Sequence, residues 1–320
     1  MRRTLFAAGM VMVLTVVSIA GATAQEISVF GGVMRNSETH TDPYVWQLEY
    51  MQGMSDHFAW SFSYLNEGHV PEHHRDGPLF QFWARTDVGQ RLSLGAGIGP
   101  YYYFDTTGAS QGASYANDHG WGAVFSLAAT WRVGGRWLME LRGNWVRTGS
   151  GADNISALAG IGYELEAPPV SEERYSPEKP ACNEVTLFFG QTIVNSFNSD
   201  KSTAAAIEYR RDFADLPLAW TATWLYEGDN GVERRNGLMT QLWLQRAFFD
   251  DRVTLGIGGG PFVVVDTYRP KDDETVVGVF SITAGYRLSA HWIMRLSWNR
   301  VVTNYNSDAD VILAGLGYRF

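Results

Sequence analysis

The sequence predicts an all-β protein, a transmembrane antiparallel β-barrel, and two observations lead to that fold class. Long stretches alternate between apolar residues and small or polar residues, which is the period of a strand with two different faces. The chain has 34 glycines and 14% aromatic residues, yet its mean hydropathy is only −0.16. A strand with lipid outside and a crowded lumen inside needs this composition, because aromatic residues flank the apolar band and small residues fit within.

The first 24 residues have the composition of a secretory signal peptide. Arg2 and Arg3 precede an apolar run over residues 5–20, and a small-residue cleavage site of the A-x-A kind follows at residues 22–24. We therefore expect export and a mature chain that begins at Gln25, with an uncleaved membrane anchor as the alternative. No later stretch approaches the roughly 20 apolar residues of a membrane-spanning helix.

Charge and motif content narrow the range of partners. Removal of the two leading arginines from the 25 basic residues leaves 23 against 34 acidic ones, a formal charge of −11. This charge argues against a nucleic-acid partner. Cys182 is the single cysteine, so no internal disulfide is expected. The sequence has no P-loop, zinc-protease helix or nucleotide fingerprint, and we expect no cofactor and no metal.

The chain contains an internal repeat. Residues 64–83 read YLNEGHVPEHHRDGPLFQFW and residues 224–243 read WLYEGDNGVERRNGLMTQLW. The identical, equally spaced pairs are Glu67 and Glu227, Gly68 and Gly228, Arg75 and Arg235, Gly77 and Gly237, Gln81 and Gln241, and Trp83 and Trp243. Three further stretches repeat in the same order, at residues 91–106 and 252–267, 136–148 and 291–303, and 158–163 and 313–318. The repeat divides the chain into two homologous halves.

We interpret the domain organisation as a signal peptide over residues 1–24, a first barrel repeat over 25–165, a linker over 166–184 and a second repeat over 185–320. The linker has four prolines, several charges and no alternation, which is typical of an exposed periplasmic connection. Each half has eight alternating segments. In the first half these start near residues 27, 44, 58, 78, 92, 120, 137 and 155.

Connections between the segments alternate between long or polar and short. This pattern is typical of barrels in the outer membrane of Gram-negative bacteria, and an even strand number puts both ends of each half on the periplasmic side. The terminal GYRF, which ends at Phe320, resembles the C-terminal signature of outer-membrane barrels. That resemblance implies the barrel-assembly machinery as a partner.

Sixteen strands can close into one wide barrel or two narrow ones. Small residues at the inward positions of the fifth segment, Ser93, Gly95, Gly97 and Gly99, suit the narrow lumen of an eight-stranded barrel. The long linker also exceeds the turn that one continuous barrel needs. We therefore favour two tandem eight-stranded barrels over one barrel of sixteen strands.

Alternation also predicts which side chains face the lumen. These are Glu140, Arg142 and Asn144 in the first half, and Arg295, Ser297 and Asn299 in the second. Apolar residues of the opposite parity, from Trp137 to Trp145 and from Trp292 to Trp298, are predicted to face lipid, where a charge costs about 2–4 kcal/mol near the midplane. The lumenal charges either neutralise one another in a filled barrel or line a pore.

Two groups of polar residues are candidates for surface sites. The repeated pairs Glu67 with Arg75, and Glu227 with Arg235, flank a hairpin tip, where each pair is expected to form an exposed salt bridge. The alternative role for Arg75 and Arg235 is contact with lipopolysaccharide phosphates, which suit the guanidinium fork. Residues 67–77 also offer metal-ligand types, but the second copy has no histidine, so we expect a polar outer loop.

Each half resembles the eight-stranded outer-membrane barrels of the lipid A 3-O-deacylase type. The resemblance rests on strand number, on GAGIGP and GIGGGP in the fifth strand, on the penultimate strand and its loop, and on the closing GIGY and GLGYRF. It implies a catalytic His-x-Ser pair on the penultimate strand, with Asp153, Asp308 or Asp310 as the acidic member. No histidine here is followed two residues later by serine, and Asn144 and Asn299 occupy the corresponding strands.

We therefore predict an integral outer-membrane protein without catalytic residues, which is structural or interacts with lipid and lipopolysaccharide. A pore for small solutes is the first alternative function. A lipid A deacylase-like hydrolase is the second.

Overall fold

The computed structural model describes residues 23–37, 40–70, 73–108, 115–149, 153–165, 183–213, 216–231, 233–266 and 275–320. Within these ranges the chain is all-β and forms sixteen strands, which close into two barrels of eight. The fold class and the preference for two barrels are confirmed. Most of the predicted signal peptide, most of the predicted linker, and Cys182 lie outside the described residues.

The first barrel is a meander in which each strand pairs antiparallel with the next, and the last strand returns to the first. Its strands are β1 (Thr23–Asn36), β2 (Tyr44–Gly53), β3 (Phe58–Val70), β4 (His73–Val88), β5 (Leu92–Thr107), β6 (Ala116–Gly134), β7 (Trp137–Thr148) and β8 (Asn154–Glu164). Glu26 opposite Glu164, and Asn36 opposite Asn154, mark the two ends of the closing ladder.

The second barrel has the same topology, closed by the pairing of its last strand with its first. Its strands are β9 (Asn183–Val194), β10 (Lys201–Asp212), β11 (Leu218–Asp229), β12 (Arg234–Phe248), β13 (Val253–Asp266), β14 (Val276–Arg287), β15 (Trp292–Val302) and β16 (Ala309–Arg319). Arg319 opposite Glu184 marks one end of the closing ladder, and Ala309 opposite Val194 the other.

Predicted strand starts agree with the structure for β2, β3, β5 and β7. Strands β4 and β6 begin earlier than predicted, at His73 and Ala116. The segment at residues 67–77 was assigned to a polar loop, but β3 and β4 stay paired as far as Val70 opposite His73. That assignment is wrong because backbone pairing continues past the polar side chains.

Connections between strands lie alternately at the two ends of each barrel, which we call the turn end and the loop end. In the first barrel the turn end has residues 54–57, 89–91 and 135–136 between strands. At the loop end, β1, β3, β5 and β7 end and β2, β4, β6 and β8 begin. The first strand of each barrel begins, and its last strand ends, at the turn end, as an even number of strands requires.

The two faces of the strands differ as the alternation predicts. Large exposed apolar residues lie on the outward face, among them Val29, Val33, Leu127, Leu141, Ile155 and Ile161 in the first barrel, and Leu187, Phe189, Met294, Leu296, Ile312 and Leu316 in the second. Inward residues are buried, and each barrel has an apolar cluster, around Leu79 in the first and Phe262 in the second. Within the described residues no helix is long and apolar enough to span a membrane.

Candidate functional site

The lumen of the first barrel is crossed by a layer centred on Arg142. Its guanidinium donates two hydrogen bonds of 2.7 Å to the carboxylate of Glu49, and a third of 3.4 Å to Glu140. The same guanidinium lies 4.2 Å from the ring centroid of Phe30 and 4.8 Å from that of Trp83. Side chains of four strands therefore meet around one buried cation, which is held by ion pairs and by cation–π contacts.

Trp83 reaches the lumen because the strand beside it has no side chain at the point of contact. A Cβ atom on Gly97 would lie 2.7 Å from the Trp83 ring, closer than side chains tolerate. The indole N–H donates a 2.9 Å hydrogen bond to Ser61 Oγ. The small inward residues of the fifth strand thus make room for a large ring inside the narrow lumen.

Asn144, which was predicted to face the lumen, is buried there in a chain of hydrogen bonds. Gln81 donates to Ser126 Oγ at 2.9 Å, and Ser126 donates to Asn144 Oδ1 at 2.7 Å. Asn144 Nδ2 in turn donates to Gln47 Oε1 at 3.1 Å. The asparagine therefore links β7 to three other strands, and the one hydroxyl in this chain of contacts, Ser126 Oγ, donates to the amide oxygen of Asn144 and not to a base.

The second barrel has an equivalent indole–glycine contact and an equivalent hydrogen-bond chain, but a different buried cation. Trp243 lies against Gly258 and donates its indole N–H to Thr221 Oγ1 at 3.0 Å. Gln241, Ser281 and Asn299 repeat the hydrogen-bond chain at 2.7 Å for each step. The cation above the Trp243 ring is Arg210, at 4.7 Å, which comes from β10.

Arg295 and Ser297, also predicted to face the lumen, are buried in the second barrel. Arg295 binds Glu184 of β9 through two hydrogen bonds of 2.5 and 2.7 Å. Ser297 Oγ donates to Asn299 Oδ1 at 3.3 Å. By register, Arg295 and Ser297 stand where the first barrel has Glu140 and Arg142, so the buried charges occupy different positions in the two lumens.

The Glu67 and Arg75 pair lies inside the first barrel at its loop end, and not on the surface. Arg75 Nε donates to Glu67 Oε2 at 2.5 Å, and Nη2 donates to Oε1 at 3.2 Å. Tyr101 and Asn154 donate to the same carboxylate, at 3.3 and 2.7 Å. Gly68, with φ of +70°, forms a bulge where the register of β3 and β4 shifts.

Glu227 and Arg235 form the equivalent pair in the second barrel, through Arg235 Nε and Glu227 Oε2. Arg235 Nη1 also donates to Ser307 O at 2.9 Å and to the Tyr305 hydroxyl at 3.4 Å. Burial raises the pKa of the Tyr305 hydroxyl, so this group stays protonated and neutral.

The salt bridges predicted at these hairpins are present in both barrels, but their predicted exposure is wrong, since all four side chains are buried. Arg75 is 6% exposed and Arg235 is 0% exposed. Their guanidinium groups point to the lumen and do not lie on the outer surface, where lipopolysaccharide phosphates would be met. The inward position was readable from the sequence: Glu67 has the parity of Ser61 and Ser63, and Arg75 that of Trp83, once the strands are continued through the supposed loop.

The histidines of the β3–β4 hairpin lie at the loop end. His69 and His74 face each other across the strands, with ring centroids 4.2 Å apart. His73 Nδ1 lies 3.2 Å from Asp105 Oδ2. In the part of the chain that the structure describes, no group of three or more His, Cys, Asp or Glu residues is placed to hold a metal ion.

Comparisons with known proteins give structural similarity alone. No protein-family model matches the chain, and no curated protein matches it. Neisserial surface protein A has 12% identity over 45% of this chain and 99% of its own, with a TM-score of 0.38. The N-terminal β-barrel domain of OprF from Pseudomonas aeruginosa has 11% identity over 44% of this chain and 98% of its own, with a TM-score of 0.35. The CymD monoaromatic hydrocarbon channel has 10% identity over 94% of this chain and 89% of its own, with a TM-score of 0.24.

The barrel assignment rests on the strand pairing of this chain and not on these similarities. The resemblance to lipid A 3-O-deacylases stays a prediction. At the strands where that family has its His-x-Ser pair, Asn144 and Asn299 are buried and hydrogen-bonded to Ser126 and Ser281.

Proposed function

We propose that the chain is an integral outer-membrane protein with two filled, non-conducting barrels and a structural, non-enzymatic role in contact with lipid. The observation that carries this proposal is the layer around Arg142. A guanidinium that is bonded to Glu49 and lies between two aromatic rings obstructs an eight-stranded lumen, which leaves room only for side chains. The layer around Arg210 and Trp243 does the same in the second barrel.

The outward surface supports insertion into a bilayer. Its apolar residues have lipid-compatible chemistry, and charges in the middle of the strands are turned inward. Aromatic pairs occur near both ends of the strands. Trp137 and Tyr163 meet edge-on at 5.0 Å at the turn end, and Trp292 and Tyr318 do so at 5.3 Å in the second barrel. Phe125 and Trp145, 5.3 Å apart, lie towards the loop end of the first barrel.

The end of β16 supports the barrel-assembly machinery as a partner. Phe320 exchanges backbone hydrogen bonds with Asn183, yet its side chain is 56% exposed on the outward face. Leu165 takes the equivalent place after β8 and is buried. An aromatic side chain that closes the ladder and remains accessible suits recognition by an assembly factor.

Among the residues that the structure describes, Arg35 and Arg147 are arginines placed to contact lipopolysaccharide. Both lie on the outward face at the loop end of the first barrel, and their side chains are 65% and 58% exposed. Asp42 and Asp153 are their carboxylate neighbours, at 4.0 and 3.2 Å, and exposed pairs of this kind exchange at little cost. The equivalent residues of the second barrel are Ile193 and Val302, so we infer that anionic lipid headgroups contact the first barrel.

Single-channel conductance of the refolded mature protein in a planar bilayer tests the filled-lumen proposal. We expect a silent bilayer, with insertion checked independently by protection of the strands from added protease. Steady, large openings would instead support the pore for small solutes. Lipid A mass after co-expression tests the hydrolase alternative, since loss of one acyl chain would contradict a non-enzymatic role.

A further inference from the structure

The two Glu–Arg pairs at the loop ends differ in how completely they are bonded. In the first barrel, Asn154 Nδ2 and the Tyr101 hydroxyl donate to the carboxylate of Glu67, and Asn36 donates to Asn154 Oδ1 at 3.0 Å. Every oxygen of that carboxylate therefore has a partner. A buried carboxylate needs such donors because burial without hydrogen bonds is costly.

The second barrel has none of these three donor side chains at the equivalent positions. By register and by the repeated sequence, Tyr101 corresponds to Phe262, Asn154 to Ala309 and Asn36 to Val194. All three replacements are buried and apolar. Together they remove one hydroxyl and two carboxamides from the surroundings of the ion pair.

The ion pair itself was kept, and two of its buried polar atoms have no partner. These atoms are Glu227 Oε1, an acceptor, and Arg235 Nη2, a donor. Ser307 Oγ, close to the same guanidinium through the Arg235 bond to Ser307 O, is likewise buried without a partner. Tyr305, whose hydroxyl accepts from Arg235 Nη1, is half-buried beside the pair.

We propose that the loop end of the second barrel binds a small neutral guest beside Glu227 and Arg235. The guest donates a hydrogen bond to Glu227 Oε1 and accepts one from Arg235 Nη2. A water molecule and a primary carboxamide share this chemistry, and by register the guest takes the place of the Asn154 carboxamide, which Ala309 lacks.

High-resolution crystal structures of the refolded full chain, with and without an acetamide soak, test the proposal. We expect a discrete density peak within hydrogen-bond distance of both Glu227 Oε1 and Arg235 Nη2. A spherical peak that acetamide leaves unchanged identifies water, and a planar peak that appears with acetamide identifies an amide site. An empty site, or a Glu227 carboxylate rotated to bond both Nε and Nη2 of Arg235, would overturn the proposal.

The repeat supplies matched variants. Ala309→Asn restores the carboxamide, and we expect it to expel the guest and to donate to Glu227 Oε1 as Asn154 does to Glu67. Asn154→Ala makes the reciprocal change, and we expect a new peak beside Glu67 in the first barrel. If Ala309→Asn does not fold, Asn154→Ala still decides the matter, because an unfilled space beside Glu67 would contradict the proposed chemistry.

Discussion

Trp83 donates its indole N–H to Ser61 Oγ at 2.9 Å, across the β3–β4 ladder inside the first barrel. The same bond recurs at 3.0 Å between Trp243 and Thr221 in the second barrel. In each barrel the strand alternation places the hydroxyl on the inward face, within hydrogen-bond distance of the indole. The indole packs against a glycine of the next strand, which is Gly97 in the first barrel and Gly258 in the second. The bond thus fixes the ring that supports the central cation of each lumen.

Ser61→Ala tests how much that hydrogen bond contributes to the free energy of unfolding. The substitution leaves a buried indole N–H without an acceptor, which costs about 1–3 kcal/mol. We expect the unfolding transition of the first barrel, followed in urea by tryptophan fluorescence, to move to lower urea while the second is unchanged. Thr221→Ser keeps the hydroxyl in the second barrel and serves as the control. Equal stability of Ser61→Ala and the parent chain would show that water replaces the hydroxyl.

Gly97→Ala tests the close approach of strand and ring. The added methyl group would lie 2.7 Å from the Trp83 ring, which Arg142 and Ser61 hold on its other sides. Overpacking of this kind costs typically about 1–3 kcal/mol, and we expect that loss in urea unfolding. Gly31→Ala in β1 is the matched control, because no atom lies within 4 Å of its added methyl. A control as unstable as Gly97→Ala would point to lost backbone freedom and not to the ring.

The barrel architecture was predictable because alternation and repetition act over the whole chain. Glu140, Arg142 and Asn144, which strand parity assigns to one face, are all buried. Strand parity did not reveal that Arg142 pairs with Glu49, since the two residues are 93 positions apart and meet only when the barrel closes. Strand alternation predicts which face of the sheet a side chain occupies. Its hydrogen-bond partner depends on how the barrel closes, which brings distant strands together.

The Glu–Arg pairs show a different failure of sequence reasoning. Clustered charges over residues 67–77 suggested a solvated loop, and the strand assignment stopped there. Glu67 and Arg75 of this segment instead pair with each other inside the barrel, so their polarity did not indicate exposure. Gly68 and Gly228, both with positive φ, were visible as repeated glycines, but a bulge is decided by the pairing of two strands.

Phe320→Ala tests the proposed recognition of the C-terminal strand. The side chain is outward and exposed, so its removal leaves the interior packing intact. We expect slower assembly in cells, seen as less heat-modifiable protein in the outer membrane, with unchanged urea unfolding of protein refolded in detergent. Leu316→Ala, another exposed apolar change on β16, is the control. Equal assembly of both variants would remove the terminal aromatic as a recognition element.

Arg35→Ala combined with Arg147→Ala tests lipopolysaccharide contact at the first barrel. We expect binding of lipopolysaccharide to protein in neutral-lipid nanodiscs to weaken several-fold, and the difference to shrink at high salt because exposed charges are screened. Lys201→Ala is the control, since it removes an exposed cation from the loop end of the second barrel. A larger loss from Lys201→Ala would assign the contact to the second barrel.

Arg142→Met tests the central cation of the first lumen. Methionine keeps part of the apolar stem but leaves Glu49 and Glu140 buried without their guanidinium. Removal of one partner from a buried pair costs about 3–5 kcal/mol, and we expect a loss of that order in urea unfolding of the first barrel. Arg147→Met, on the same strand with an exposed side chain, should change stability by less than about 0.5 kcal/mol.

The double variant Glu49→Gln with Arg142→Met separates the ion pair from simple packing. If Glu49 destabilises the Arg142→Met protein only because its charge is unpaired, adding Glu49→Gln should recover part of the lost stability. The recovery should be incomplete, because Glu140 remains charged and unpaired. Losses that simply add would show that Arg142 acts through its contacts with Phe30 and Trp83. Conductance of the double variant then reports whether those two rings alone still close the lumen.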